Sequence, residues 1–232
     1  MQKSRLDKFL MKQLDLNKRE VRLMLAQKRV LVDGNIALDI SLQIDKFSII
    51  AADGKTLQQN ESIYIMLNKP IGVVSATKDA LHKTVIDLLS HRQKESLHIV
   101  GRLDLNTSGL ILLTNNSHWS EKLTQPDSKV SKVYQVTLQN KLTADYINAF
   151  EQGMYFGFED ITTKPAELKI LSDHTAQVTL TEGKYHQIKR MFGRFQNPVI
   201  KLHRNKVGNL NLDPLLKTGE NRLLTPEEVA TI

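Results

Sequence analysis

Gly101-Arg102-Leu103-Asp104-Leu105-Asn106-Thr107-Ser108-Gly109-Leu110-Ile111-Leu112-Leu113-Thr114-Asn115 changes character at Gly109. Before it the chain is polar and turn-forming. After it Leu110 to Leu113 are all apolar, which suits a short strand covered on both faces. The loop is therefore held on a rigid edge, and it carries one carboxylate. Asp104 has an arginine two residues before it and no second acid nearby, so it suits a lone nucleophile better than an acid/base pair or a metal cage. An Asp among Gly, Asn, Thr and Ser equally suits an Asx-turn or a helix cap. The residues alone leave both readings open.

Outward from this stretch, the chain alternates strand and helix signals without an internal repeat. Ile63 to Leu67 reads as a buried strand stopped at Asn68-Lys69-Pro70, and Gly72 forces a turn before Val73-Val74-Ser75. On the other side, Ser117 to Thr124 is helical up to Pro126, and Lys132 to Leu138 alternates, with Tyr134, Val136 and Leu138 on one face. Thr143 caps a helix through Phe150 that stops at Gly153, and Ala166–Leu171 with Ala176–Thr181 reads as a strand pair. A helix from His186 has Ile188, Met191, Phe192 and Phe195 on one face, and Lys189, Arg190 and Arg194 elsewhere. Pro198 to Arg204 is a further strand, and Thr225-Pro226-Glu227-Glu228 opens a last helix with a capping box. This order predicts an α+β domain on a mixed, largely antiparallel sheet. No G-x-G-x-x-G or Walker sequence offers a loop for a nucleotide cofactor.

The first thirty residues differ from the rest in charge. Lys3, Arg5, Lys8, Lys12, Lys18, Arg19, Arg22, Lys28 and Arg29 outweigh Asp7, Asp15 and Glu20, which is most of the net +7 of the 232-residue chain. A basic excess concentrated in one segment points to a polyanion, RNA or DNA. Leu6, Phe9, Leu10 and Leu14 have helical spacing, Asn17 to Glu20 is a capping box before Val21, Met24 and Leu25, and Asp33-Gly34 signals a β-hairpin after Val30-Leu31-Val32. Phe47 to Ile50 supplies another strand, and polar Ala52 to Glu61 reads as a linker. The expected division is a module of residues 1–58 and a larger domain of residues 59–232.

With 41% apolar content the chain can bury a core. It has no Cys, which excludes a disulfide framework, thiolate zinc chemistry and a Cys nucleophile. No stretch has the apolar core of a signal peptide or the length of a membrane span, so the expected setting is the cytoplasm, away from membranes. His186 and His203 lie in no metal-ligand spacing and read as packing or RNA-edge residues. Neither a metal nor a cofactor is expected.

Gly101-Arg102-Leu103-Asp104-x-x-Thr107-x-Gly109-Leu110, followed by an apolar strand and Thr114-Asn115, resembles the signature motif of the pseudouridine synthases. Asn68-Lys69-Pro70-Ile71-Gly72, Lys132-Val133-Tyr134-Gln135-Val136 and Glu182-Gly183-Lys184-Tyr185-His186-Gln187-Ile188-Lys189-Arg190-Met191-Phe192 follow the same family in the same order. The amino-terminal module resembles the S4-like RNA-binding module, named after a protein of the small ribosomal subunit, through Arg5-Leu6-Asp7-Lys8-Phe9-Leu10 and Arg29-Val30-x-Val32-Asp33-Gly34.

The resemblance implies isomerisation of uridine to pseudouridine in RNA. Asp104 would be the nucleophile, Tyr134 the aromatic that packs on the target uracil, and Lys189 the basic partner of Asp104. Arg102 would fill the gap left by a flipped base or hold a phosphate, and Lys69 could meet a phosphate. Arg5, Lys8, Lys18, Arg19, Arg22, Lys28, Arg29 and Arg190 would complete the RNA-binding set. The run His186–Phe192 leans toward members that act on 16S ribosomal RNA, by resemblance at uridine 516. The expected partner is small-subunit ribosomal RNA or an assembling small-subunit particle, met by a monomer. Two alternatives are a synthase acting on 23S ribosomal RNA and a catalytically silent RNA-binding assembly factor.

Overall fold

The computed structural model describes residues 3–232 and separates the chain into a unit ending at Ser62 and a unit Ile63–Ile232. In the first unit, β1 (Ser4–Arg5) leads into α1 (Leu6–Leu14), and α2 (Lys18–Ala26) follows after a turn. Asn17 accepts from the backbone of Arg19 and Glu20, and Glu20 reaches back to Asn17, so the capping box forms as its spacing requires. Leu6, Leu10, Val21, Met24 and Leu25 bury one face of each helix against residues of β2 (Val30–Val32), β4 (Gln43–Ile44), β5 (Ile50–Ala52) and β6 (Lys55–Gln58), while β3 (Asn35–Ile36) stays exposed. The strands run in the order β3-β2-β5-β6, and β1 pairs β4.

Three expectations shift here. The strand expected at Phe47–Ile50 begins at Ile50, because Asp45 accepts from the backbone of Phe47 and Ser48 and holds them in a turn. The expected linker Ala52–Glu61 is instead mostly a hairpin. Asp53 and Gly54 both take positive φ, 49° and 76°, the geometry that twists with its flanking strands. The break between units falls after Ser62 rather than after residue 58, since Gln58 still pairs with Ile50 and Asn60 donates to the Lys46 carbonyl.

The second unit is built on β7 (Tyr64–Lys69), β8 (His98–Val100), β9 (Ser108–Thr114), α3 (Ser117–Thr124), β10 (Lys132–Leu138), α4 (Asp145–Gln152), β11 (Tyr155–Phe156), β12 (Ile161–Thr162), β13 (Glu167–Ser172), β14 (Thr175–Leu180), α5 (Gln187–Gly193), β15 (Val199–Val207), β16 (Leu210–Asn211), β17 (Asn221–Leu223) and α6 (Pro226–Ala230). The main sheet runs β13-β14-β10-β15-β9-β7-β17, with β16 beside β15 and β8 beside β9. Its ladders are antiparallel except β15 with β9, where the two halves of the sheet meet. This is the expected mixed, largely antiparallel α+β domain. Among the described residues no helix is long and apolar enough to cross a membrane.

After the turn at Gly72, Val74 forms a single bridge to Thr84. Thr143 does not cap α4 with its side chain; Ala144 is the cap residue, and the Thr143 carbonyl closes the first turn onto Tyr146. The core lies on both faces of the sheet. Ile65, Leu67, Ile111 and Leu113 pack on one face with Val85 and Leu89, while Met66, Leu110 and Leu112 pack on the other with Trp119 and Leu123. Under α5, Ile188, Met191 and Phe192 join Val136, Val178 and Leu202.

Candidate active site

Gly109 lies at the parallel seam, opposite Arg204, with φ +105°. A Cβ there would come within 2.4 Å of the Arg204 carbonyl oxygen, so only glycine lets β9 and β15 approach. The close approach brings Arg204 beneath the loop before β9. Its buried guanidinium donates from Nε to Leu110 O at 2.8 Å and from Nη2 to Gly101 O at 2.9 Å.

Two more buried side chains hold the same loop. Ser75 Oγ donates to Leu103 O at 2.7 Å and accepts from Leu103 N at 3.0 Å. Lys69, fully buried at the end of β7, donates from Nζ to the carbonyls of Pro70, Asp104 and Thr107 at 2.9, 3.1 and 2.8 Å, with Leu105 O at 3.4 Å. Burial, with help from the Arg204 and Lys189 charges and against the pull of Asp104, brings the Lys69 ammonium down to about 8. Lys69 is therefore no phosphate ligand: its charge is turned inward, onto loop carbonyls.

Held from below, Asp104 turns its carboxylate outward. Its own carbonyl closes the loop onto Thr107 N at 3.0 Å, but among the described residues the carboxylate takes part in no Asx-turn. Oδ2 accepts instead from Lys189 Nζ at 3.2 Å and lies 3.5 Å from His186 Nε2. Both partners come from the start of α5, where Lys189 points away from the apolar face as its spacing predicts. Tyr134, on β10, lines a narrow slot of about 100 Å³ together with Asp104, Thr107, Ile188, Lys189 and Leu202. Thr107 is buried there with its Oγ1 unpaired among the described residues. The cavity thus combines apolar walls from Tyr134, Ile188 and Leu202 with a carboxylate and an ammonium. Arg102 stands exposed at its mouth.

Residues 101–107, 134 and 186–189 meet although they are distant in sequence. Asp104, Tyr134, Lys189 and Arg102, singled out by sequence, share one cavity. Arg190 does not join them: it pairs through both Nη atoms with Glu159, at 2.7 and 2.5 Å, and stacks over Phe156 at 3.8 Å. In the first unit Arg5 is bound bidentately to Asp7 and Arg29 to Asp53, so these two arginines hold their own fold. Lys8, Lys18, Arg19, Arg22 and Lys28 are exposed without a carboxylate partner among the described residues.

His186, which reads from sequence as a packing or RNA-edge residue, lies instead beside the carboxylate. Its φ of 49° turns the chain sharply before α5, which no periodicity reports. His203 lies in β15 and meets Ser108 Oγ at 2.9 Å; burial lowers its tendency to protonate. No sequence pattern marks Ser75 as a loop support. For Arg204 the available signal is a lone arginine ending an apolar strand.

A family model for RNA pseudouridylate synthases matches residues 63–193, which hold every cavity residue named above except Leu202. The chain is 43% identical to ribosomal small subunit pseudouridine synthase A of Pseudomonas aeruginosa, over 98% of this chain and 100% of that protein. It is 40% identical to the protein of the same name from Escherichia coli K12, over 98% and 99%. A crystal structure of a pseudouridylate synthase, 37% identical, superposes with a TM-score of 0.71 over 98% of both chains. The chain belongs to the RNA pseudouridylate synthase family.

Proposed function

We propose that this protein converts one uridine of 16S ribosomal RNA, uridine 516, to pseudouridine, with Asp104 as nucleophile. The observation that carries the proposal is the carboxylate of Asp104, 3.2 Å from Lys189 in a small cavity that Tyr134 also lines. A base in a helix or loop must be extruded to reach such a slot, at a cost of a few kcal/mol. Tyr134 offsets part of that cost by stacking on the uracil. The Thr107 hydroxyl is available to the polar edge of the ring.

The reaction breaks the bond between N1 and ribose C1′, turns the base, and joins C5 to C1′. The proton leaving C5 is balanced by one gained at N1, so the product is an isomer and no external oxidant or group donor enters. Asp104 can form a covalent bond with the nucleoside while the base turns. Lys189 orients the carboxylate through its 3.2 Å ion pair, and the three buried supports fix the loop so that reorientation is not needed during the reaction. Arg102 fills the gap left in the RNA stack or holds a phosphate at the mouth. The exposed cations of the first unit bind the RNA backbone, and its helix pair and hairpin act as an S4-like module.

The choice of the small subunit's RNA follows from the relatives, whose name states that subunit and whose length matches almost end to end. Incubation with unmodified ribosomal RNA, as free RNA and as assembling particles, followed by carbodiimide mapping with primer extension, tests it. A single new stop at the stated uridine is expected. A stop in 23S RNA would redirect the substrate, and none at all would leave an RNA-binding factor.

A further inference from the structure

Asp104 stands where two cavities adjoin. The smaller has Tyr134 in its wall, and the larger, of about 410 Å³, has Tyr185 in its wall. Arg102, Leu103, Gly183, Lys184 and His186 border both. Tyr185 is 74% exposed, yet its ring is not loose: it stacks on His186 with centroids 3.9 Å apart and planes 19° from parallel.

The segment that carries the pair is pinned. Buried Gln187 accepts from Lys184 N at 3.0 Å and donates to Glu182 Oε1 at 2.8 Å, and the same oxygen accepts from Lys164 N at 2.8 Å. His186 is fixed on its other edge by its approach to Asp104. A stacked pair that is rigid on one side and open on the other is preorganised for a third flat ring, because the ordering cost is already met. Arg102 and Lys184, both exposed at the same cavity, supply charge for the phosphate that would join such a ring to the next nucleotide.

We propose that Tyr185, seated on His186, is a second stacking site that takes the base of a nucleotide next to the extruded uridine. The site rests on the proposed RNA substrate and deepens it: the enzyme grips two neighbouring nucleotides, one in each of the two adjoining cavities that Asp104 borders. Every base has a stacking face, so this contact sets affinity and register along the strand more than it reads sequence.

A double-mutant cycle on an RNA fragment tests this, with conversion of the uridine by wild type measured first. Tyr185→Ala, and separately an abasic nucleotide beside the target uridine, are each expected to raise Kd about 5- to 100-fold. Combined, they should raise it no further, and the loss should fall on KM more than on kcat. Tyr185→Phe should bind within about twofold of wild type, since it keeps the ring. Independent, multiplying losses on both flanks, or wild-type Kd for Tyr185→Ala, would overturn the stacking site. If wild type converts no uridine in any ribosomal RNA, the proposed function falls at that first step and the stacking site falls with it.

Discussion

Lys69 carries a charge into the interior of the second unit, and its chemistry should be visible as a pH effect. Its ammonium sits at about 8, against 10.5 for an ordinary lysine, because burial disfavours the charged form. Between those two values the unfolded chain holds more protons at this residue than the folded one, so its contribution to stability rises with pH across that window. Deprotonation meanwhile removes an N–H donor from the carbonyls that hold Asp104. Turnover is expected to fall as pH rises through about 8, while the denaturation midpoint shows no matching loss from this group. A kcat that stays level from about pH 7 to pH 9.5 would refute a loop-holding role for the charged lysine. Tyr134 offers a second residue-scale test. Its hydroxyl makes no hydrogen bond within the described residues, so Tyr134→Phe should leave stability and RNA affinity close to wild type. Tyr134→Ala should lose stacking of about 1–3 kcal/mol, seen as weaker RNA binding and slower conversion. Unchanged binding and conversion in the Ala variant would reduce Tyr134 to a sheet residue.

Among elements, the pairing that matters most is the parallel seam between β9 and β15. Gly109→Ala would drive a Cβ into the Arg204 backbone at a φ that alanine rarely adopts. The expected cost is at least about 2 kcal/mol, read as a lower urea midpoint, with activity falling further because Arg204 also supports the loop. An alanine variant with wild-type stability would mean the strands can separate without penalty. This seam also marks where sequence reading reaches its limit. The apolar run at Leu110–Leu113, the alternation from Lys132, the capping box at Asn17 and the hairpin at Asp33-Gly34 are local patterns, and each element forms where its pattern lies. The parallel pairing of Ser108 and Gly109 with His203 and Arg204 joins segments almost a hundred residues apart, and no local pattern encodes it. The same holds for side-chain direction. Lys69 and Arg190 look like surface cations in a one-dimensional reading, but the first ends a strand buried on both faces and the second meets Glu159 across the fold. At Asp53-Gly54 the hairpin signal is present, and the polarity around it masks a strand.

For the whole molecule, the proposed division of labour is RNA capture by the first unit and chemistry by the second. The second unit has cores of its own on both faces of its sheet, so removing residues 1–62 should leave it folded. RNA affinity should then depend less steeply on salt, by about 0.7 to 0.9 in logarithmic slope for each phosphate no longer neutralised. Equal slopes for the full and shortened chains would mean that Lys8, Lys18, Arg19, Arg22 and Lys28 are merely solvated. Whether the full chain is an enzyme or only a binder turns on Asp104. Asn has nearly the same shape, but its amide is a poor nucleophile. RNA binding and pseudouridine formation should be measured on one preparation of full-length Asp104→Asn beside wild type. The expected result is a folded protein with near-wild-type affinity and no detectable pseudouridine; undiminished conversion by that variant would contradict an aspartate-centred reaction.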